Sequence, residues 1–271
     1  MKVGFVGLGV MGTPMALNLA RRYPLTVWNR SSSKYPPLRQ AGAQVAESPS
    51  LLARDTDVIF TMLHDQTAIQ SIFTPEFRSG LRNKTLINTS SVPVEFSKYM
   101  ADEIHRAGGR FIEMPVSGKR SGEMGPLVEL ITKAAVYCGE IGMGLKTKFA
   151  VNTYLITMTA GLAESMALAR AQDLDIRAFT QVLDAGPMAS PYSKLKLEKM
   201  IDEDWSAQAS INDCFNLTQI IDSASTAINA ESPMIRLAGL LYKRAIEKGF
   251  GKDDMIAVEK VLGLALEKDP A

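Results

Sequence analysis

The stretch Lys2–Arg22, KVGFVGLGVMGTPMALNLARR, decides the fold. Val3 to Val6 is a short apolar run that reads as a buried strand. It feeds directly into Gly7-Leu8-Gly9-Val10-Met11-Gly12, after which an amphipathic helix runs to about Arg22. The three glycines have separate physical tasks. Gly7 permits a tight turn, Gly9 lets the backbone approach a pyrophosphate, and Gly12 lets helix pack closely on strand. Unpaired amides at the helix N-terminus supply the partial positive charge that holds a diphosphate. Pro14 is compatible with the first helical turn, where a missing N–H costs no bond. The bland alternative is a glycine-rich turn that binds nothing. The strand before the motif and the helix after it favour dinucleotide binding.

The next strand, Leu25-Thr26-Val27-Trp28, speaks to which dinucleotide. It is followed by Asn29-Arg30-Ser31-Ser32-Ser33-Lys34, with no acidic residue until Glu47. An NAD site normally carries Asp or Glu here to bond the ribose 2′-hydroxyl. Arg30 instead offers a planar fork suited to a 2′-phosphate, with Ser31 and Lys34 beside it. NADP is therefore the expected cofactor, ahead of NAD. A solvated basic loop is the competing reading.

Outward from this point, strands and helices alternate. After a turn at Pro36-Pro37 a helix is expected over Leu38–Ala41, and others over Ser48–Arg54, Gln66–Ile72 and Val94–Ala107. Asp55–Leu63 reads as the third strand, Lys84–Thr89 as the fourth and Arg110–Met114 as another. Such βαβ alternation implies a doubly wound parallel sheet of the Rossmann type, covered on both faces. The alternation stops near Gly139. From Leu145 to Leu174 the chain is apolar with helical periodicity, and helices follow at Arg177–Leu183, Tyr192–Met200, Ala207–Ala230 and Met234–Lys248, so an all-α domain is expected. Residues 1–143 and 144–271 are the expected domains, α/β and then all-α. Thr153 to Ala169 is apolar on most faces, which predicts burial within the subunit or against a partner copy in a homodimer or homotetramer.

Composition excludes several classes. The 271 residues are 46% hydrophobic and 22% charged, with a formal net charge of +1, so no long-range field attracts nucleic acid or an acidic membrane. No apolar stretch reaches transmembrane length. Cys138 and Cys214 form no disulfide framework or metal spacing, suit a reducing compartment, and are expected to be small buried hydrophobes. His64 and His105 lie far apart, so no metal is expected. The expected compartment is the cytoplasm.

A second constellation carries the chemistry. Glu113-Met114-Pro115-Val116-Ser117-Gly118 follows a strand, and Gly139–Asn152, GEIGMGLKTKFAVN, opens the long helix. Gly144, Lys148 and Asn152 are four apart, so Lys148 and Asn152 project from one helical face. Together with GLGVMGTPMALNL, these segments resemble the β-hydroxyacid dehydrogenase family, which includes 3-hydroxyisobutyrate dehydrogenases and glyoxylate or succinic semialdehyde reductases. The resemblance runs nearly end to end, with three motifs in the right order. It implies that Ser117 and Gly118 hold a substrate carboxylate, that Lys148 is the catalytic lysine and that Asn152 positions substrate. It also places Ser91 near the nicotinamide and Met62-Leu63 along the cofactor cleft. The chemistry agrees: carbonyl reduction needs a proton donor at the oxygen where negative charge develops, and a partly desolvated lysine is suited to it.

The chain departs from the family in four places. Lys119, followed by Arg120, replaces a second small residue after Ser-Gly and reads equally as a solvated loop or as a cation at an anion site. Val151 replaces an Asn often found there. Phe215-Asn216 stands where the family commonly has Lys-Asp, which predicts a less polar pocket. Between Gly125 and Gly139 one strand–helix unit of the family is missing. The expected function is NADPH-dependent reduction of a small carbonyl acid, or the reverse oxidation of a hydroxy acid. The rivals are an imine reductase, against which Lys148 argues, and a non-catalytic dinucleotide-binding scaffold.

Overall fold

A computed structural model describes residues 1–116, 130–131 and 134–262. The chain divides into two compact units, Met1–Phe149 and Ala150–Ala271. In the first, six parallel strands form one sheet: β1 (Val3–Val6), β2 (Leu25–Trp28), β3 (Gln44–Val45), β4 (Val58–Thr61), β5 (Thr85–Asn88) and β6 (Arg110–Glu113). Their spatial order is β3-β2-β1-β4-β5-β6, with every adjacent pair parallel. The chain therefore reverses direction across the sheet between β1 and β4, the switch point where doubly wound sheets open a crevice outside the strand ends.

β1 and β5 are buried along their whole length, as central strands covered on both faces must be. Phe5 and Phe60 stack across the β1–β4 pair with ring centroids 6.0 Å apart. One core cluster joins Val3, Phe5, Leu25 and Val27 of the sheet to Met15, Ala16 and Leu19 of α1 (Gly12–Ala20). Among the described residues this unit also has the helices α2 (Pro36–Gln40), α3 (Pro49–Asp55), α4 (Gln66–Ile72), α5 (Pro75–Ser79) and α6 (Val94–Arg106). Ser48, Asp65 and Thr74 cap α3, α4 and α5 by accepting from the backbone N–H of Leu51, Ala68 and Phe77.

Five of the six strands lie where the sequence reading expects them. The strand expected third, Asp55–Leu63, is fourth in the chain. Gln44–Val45 precedes it, a two-residue edge strand too short to show any alternation. α5 likewise has no counterpart in the sequence reading, because five residues carry no helical period. Among the described residues β6 is the last strand. Seven of the fifteen residues in the segment expected to be short, Gly125–Gly139, lie outside them.

α7 (Met143–Ala171) starts in the first unit and continues into the second. α8 (Ile176–Ala185), α9 (Pro191–Ile201), α10 (Ile211–Thr226) and α11 (Pro233–Glu247) follow, with reciprocal Ser–Ser and Ser–Asp capping boxes opening α9 and α10. The second unit buries an ion pair: Lys196 Nζ donates to Asp254 Oδ1 at 2.7 Å, and Asp254 Oδ2 accepts from Gln208 N at 2.8 Å. Both carboxylate oxygens are thus hydrogen-bonded, which compensates the buried charge. α7 is not buried on all faces of this chain, since Tyr154 and Leu168 are exposed. Cys214 is buried as expected, but Cys138 is exposed beside exposed Val136 and Tyr137. That stretch forms no helix or strand whose packing could cover a small apolar side chain. No described helix is long and apolar enough to cross a membrane.

Candidate active site

At the switch point the chain leaves β1 through Gly7–Gly12. Gly7 has φ of +101°, and a Cβ there would lie 2.1 Å from the carbonyl oxygen of Met62. A Cβ on Gly12 would lie 1.9 Å from the carbonyl oxygen of Gly7. Both positions thus require glycine for steric reasons. Gly9 differs: a Cβ there meets nothing within 4 Å. Its glycine is not needed by this chain's own packing, as expected where a ligand is to approach the backbone. No side chain caps the first turn of α1, and no acidic residue lies in it. Open space, a bare helix N-terminus and exposed backbone at Gly9 and Val10 fit a diphosphate.

Leu8 is buried and its N–H donates to Asn29 Oδ1 at 2.9 Å, tying the glycine turn to the end of β2. Asn29 is held in turn by Tyr35, whose hydroxyl accepts from Asn29 N at 2.9 Å and donates to Asn29 O at 2.7 Å. Asn29 Nδ2 donates to Ser31 O at 3.0 Å. Arg30 is exposed between these two fixed residues, and the Ser31 and Ser33 hydroxyls pair at 2.9 Å beside it. The Tyr35 clamp leaves no mark in the sequence, since a tyrosine six residues on has no local signature.

The other wall is built from β4 and β5. Met62 N donates to Val6 O at 2.9 Å, continuing the β1–β4 ladder past the strand end. Leu63 N donates to Ser90 Oγ at 2.8 Å. Beneath them, Thr61 Oγ1 donates to Asn88 Oδ1 at 2.9 Å, Ser90 N donates to the same oxygen at 3.2 Å, and Thr89 Oγ1 donates to Thr61 O at 2.7 Å. Asn88, Thr89 and Ser90 are buried, so this network is satisfied and rigid. Ser91, the expected hydroxyl, is half-buried one residue on. Ser90 is the one that holds Leu63.

Glu113 ends β6. Its carboxylate accepts from Gly142 N, at 3.0 Å to each oxygen, from Leu145 N at 3.0 Å and from the Ser97 hydroxyl of α6. Lys148 is half-buried in the second turn of α7, and Asn152 one turn later is buried, with an amide oxygen that has no hydrogen-bond partner among the described residues. Ser117, Gly118 and Lys119 lie outside the described residues. Phe215 and Asn216 are half-buried on α10 in the second unit.

A glycine turn at the switch point of a 3-2-1-4-5-6 sheet, with a bare helix terminus and a fixed loop after β2, defines a dinucleotide-binding protein. A family model described as the NAD binding domain of 6-phosphogluconate dehydrogenase matches residues 2–131. A second, described as NAD-binding of NADP-dependent 3-hydroxyisobutyrate dehydrogenase, matches residues 142–262. The chloroplastic glyoxylate/succinic semialdehyde reductase 2 of Arabidopsis thaliana is 30% identical over 294 residues, covering 98% of this chain and 81% of that protein. Mouse mitochondrial 3-hydroxyisobutyrate dehydrogenase is 27% identical over 289 residues, covering 96% and 86%. The crystal structure of a 3-hydroxyisobutyrate dehydrogenase from Salmonella typhimurium superposes with a TM-score of 0.87 at 18% identity, covering 96% of this chain and 99% of that one. The chain belongs to the 3-hydroxyisobutyrate dehydrogenase family and is an NAD(P)-dependent oxidoreductase of the hydroxyacid dehydrogenase type. Both alignments are longer than the 271 residues here, so these relatives carry internal residues that this chain lacks.

Proposed function

We propose that this enzyme reduces a small aldehyde or keto acid to the hydroxy acid with NADPH, and runs the reverse oxidation when the hydroxy acid is in excess. The buried amide oxygen of Asn152, without a partner among the described residues, carries the reading, because a buried acceptor without a donor is costly unless a ligand supplies one. The hydroxyl at the reacting carbon is such a donor. The cofactor supplies the hydride. Lys148 gives its proton to the oxygen as negative charge develops there and regains one from solvent, which its half-buried position permits. Ser117 and Gly118 hold the substrate carboxylate, with Lys119 as an added cation, while Ser91, Met62 and Leu63 face the nicotinamide end. In this division of labour residues 1–143 bind NADP and residues 144–271 bring substrate contacts and self-association. Cytoplasmic residence belongs to this reading, since Cys138 and Cys214 form no disulfide.

The test is oxidation of NADPH in the presence of glyoxylate, succinic semialdehyde and a cyclic imine. Turnover of the aldehyde acids is expected. Turnover of the imine alone overturns the reading in favour of an imine reductase, and NADPH binding without any turnover favours a scaffold.

Cofactor preference rests on Arg30 and on the lack of an acid before Glu47. Arg30→Ala is expected to weaken NADPH binding by about 1–3 kcal/mol, the range for losing a charged hydrogen-bond partner, with NADH nearly unchanged. Equal losses for both by titration sink the assignment. Self-association is proposed through α7, which exposes Val151, Tyr154 and Leu168. Light scattering should give the mass of a dimer or tetramer, and a monomer at micromolar concentration contradicts it.

A further inference from the structure

We propose that Glu113 is the positioning residue of this active site, holding the lysine helix in register with the strand end that leads to the substrate segment. The inference rests on the reading of Lys148 as proton donor. The first amides of a helix have no partner within it, and a carboxylate placed on them satisfies the donors and the positive end of the helix dipole together. Glu113 does this from 29 residues away. Gly142 N reaches both of its oxygens and Leu145 N reaches Oε1, each at 3.0 Å. Ser97 donates its hydroxyl to Oε2, so α6 holds the carboxylate from the other side. Such bonds to an ionised acceptor are roughly twice as strong as neutral ones.

The spacing of Gly144 and Lys148 has a physical reason in this contact. A Cβ on Gly144 would lie 3.0 Å from Glu113 Oε1 and 3.3 Å from Pro115 Cδ, so glycine leaves the room the carboxylate occupies. Gly142, at φ +99°, is the turn that delivers its N–H to both oxygens. Lys148 follows Leu145 by three residues, less than one turn, and Leu145 is fully buried. Ser117 follows Glu113 by four residues, with Pro115 between them restricting the backbone. One carboxylate thereby ties the start of the lysine helix to the end of β6.

Glu113→Gln and Gly144→Ala test the contact from its two sides. In the first, an amide NH2 replaces one oxygen and confronts a donor, because both oxygens accept. In the second, a methyl group pushes against the carboxylate at 3.0 Å while alanine favours the helix itself, so the folded state does not lose helix propensity. Small misplacements of catalytic groups cost up to about 100-fold, so kcat for glyoxylate reduction is expected to fall about 10- to 100-fold in Glu113→Gln and by a smaller factor in Gly144→Ala. NADPH affinity by titration should stay at the parent value in both, and the Tm of Gly144→Ala should not fall. In a Lys148→Ala background Glu113→Gln should change kcat by less than about twofold, since its effect passes through the lysine. Undiminished kcat in both single variants overturns the proposal, as does an equal loss with and without Lys148. If Lys148→Ala itself keeps normal kcat, the proton-donor reading fails first and the positioning role falls with it.

Discussion

Lys148→Ala is expected to lower kcat for glyoxylate or succinic semialdehyde by about 10²–10⁴-fold, the usual contribution of a general acid. NADPH affinity should stay near the parent value, because the residues proposed to read the diphosphate and ribose are Gly7–Gly12 and Arg30. The signature is therefore a fall in kcat and kcat/KM together, as for an interaction made in the transition state. Asn152→Ala should cost less, since it loses orientation and not the proton. Steady-state kinetics with a direct NADPH titration separate these terms. Near-normal kcat in Lys148→Ala removes the mechanism and moves the imine-reductase reading ahead, because a protonated imine requires no cation to stabilise an oxyanion.

The glycine turn should split into two phenotypes. At Gly7, alanine faces both a left-handed φ of +101° and a backbone carbonyl 2.1 Å from the new methyl. Conformational strain and overpacking each cost about 1–3 kcal/mol, so Gly7→Ala should lose roughly 2–6 kcal/mol of stability. That corresponds to a Tm lower by several degrees, at about 2–4 °C per kcal/mol for a chain of this size. At Gly9 the methyl meets nothing within 4 Å, and Tm should be unchanged. The same methyl projects from the backbone that the diphosphate must approach, so Gly9→Ala should weaken NADPH and NADH alike by at least about tenfold, 1.4 kcal/mol. Thermal melts with and without NADPH read both quantities. A stable Gly9→Ala that binds NADPH normally contradicts the assignment of this turn to the diphosphate.

The parts of this protein legible in its sequence are those encoded locally. β1, β2, β5 and β6 lie within a residue of their expected positions, because each is an apolar run bounded by turn residues. Gln66–Ile72 is a helix over those residues, opened by Asp65, whose carboxylate accepts from Ala68 N. The glycine motif, the acid-free loop after β2 and the Gly144–Lys148–Asn152 register were also visible, since each is a spacing along one element. Short elements were not: β3 has two residues and α5 five, and neither completes a period.

What the tertiary structure decided is which polar groups meet across long separations in the chain. Leu8 N finds Asn29 across 21 residues, Leu63 N finds Ser90 across 27, and Gly142 and Leu145 find Glu113 across 29 and 32. Nothing local distinguishes Ser90 from Ser91, or Glu113 from any other carboxylate after a strand. The choice depends on the parallel register, which pairs Thr61 with Asn88 and Asn88 with Glu113, and so sets the ends of β4, β5 and β6 side by side. Apolar periodicity determines that these strands form and face the core. Hydrogen-bond reach of only about 3 Å determines which neighbours they bind, and that distance exists only once the sheet has closed.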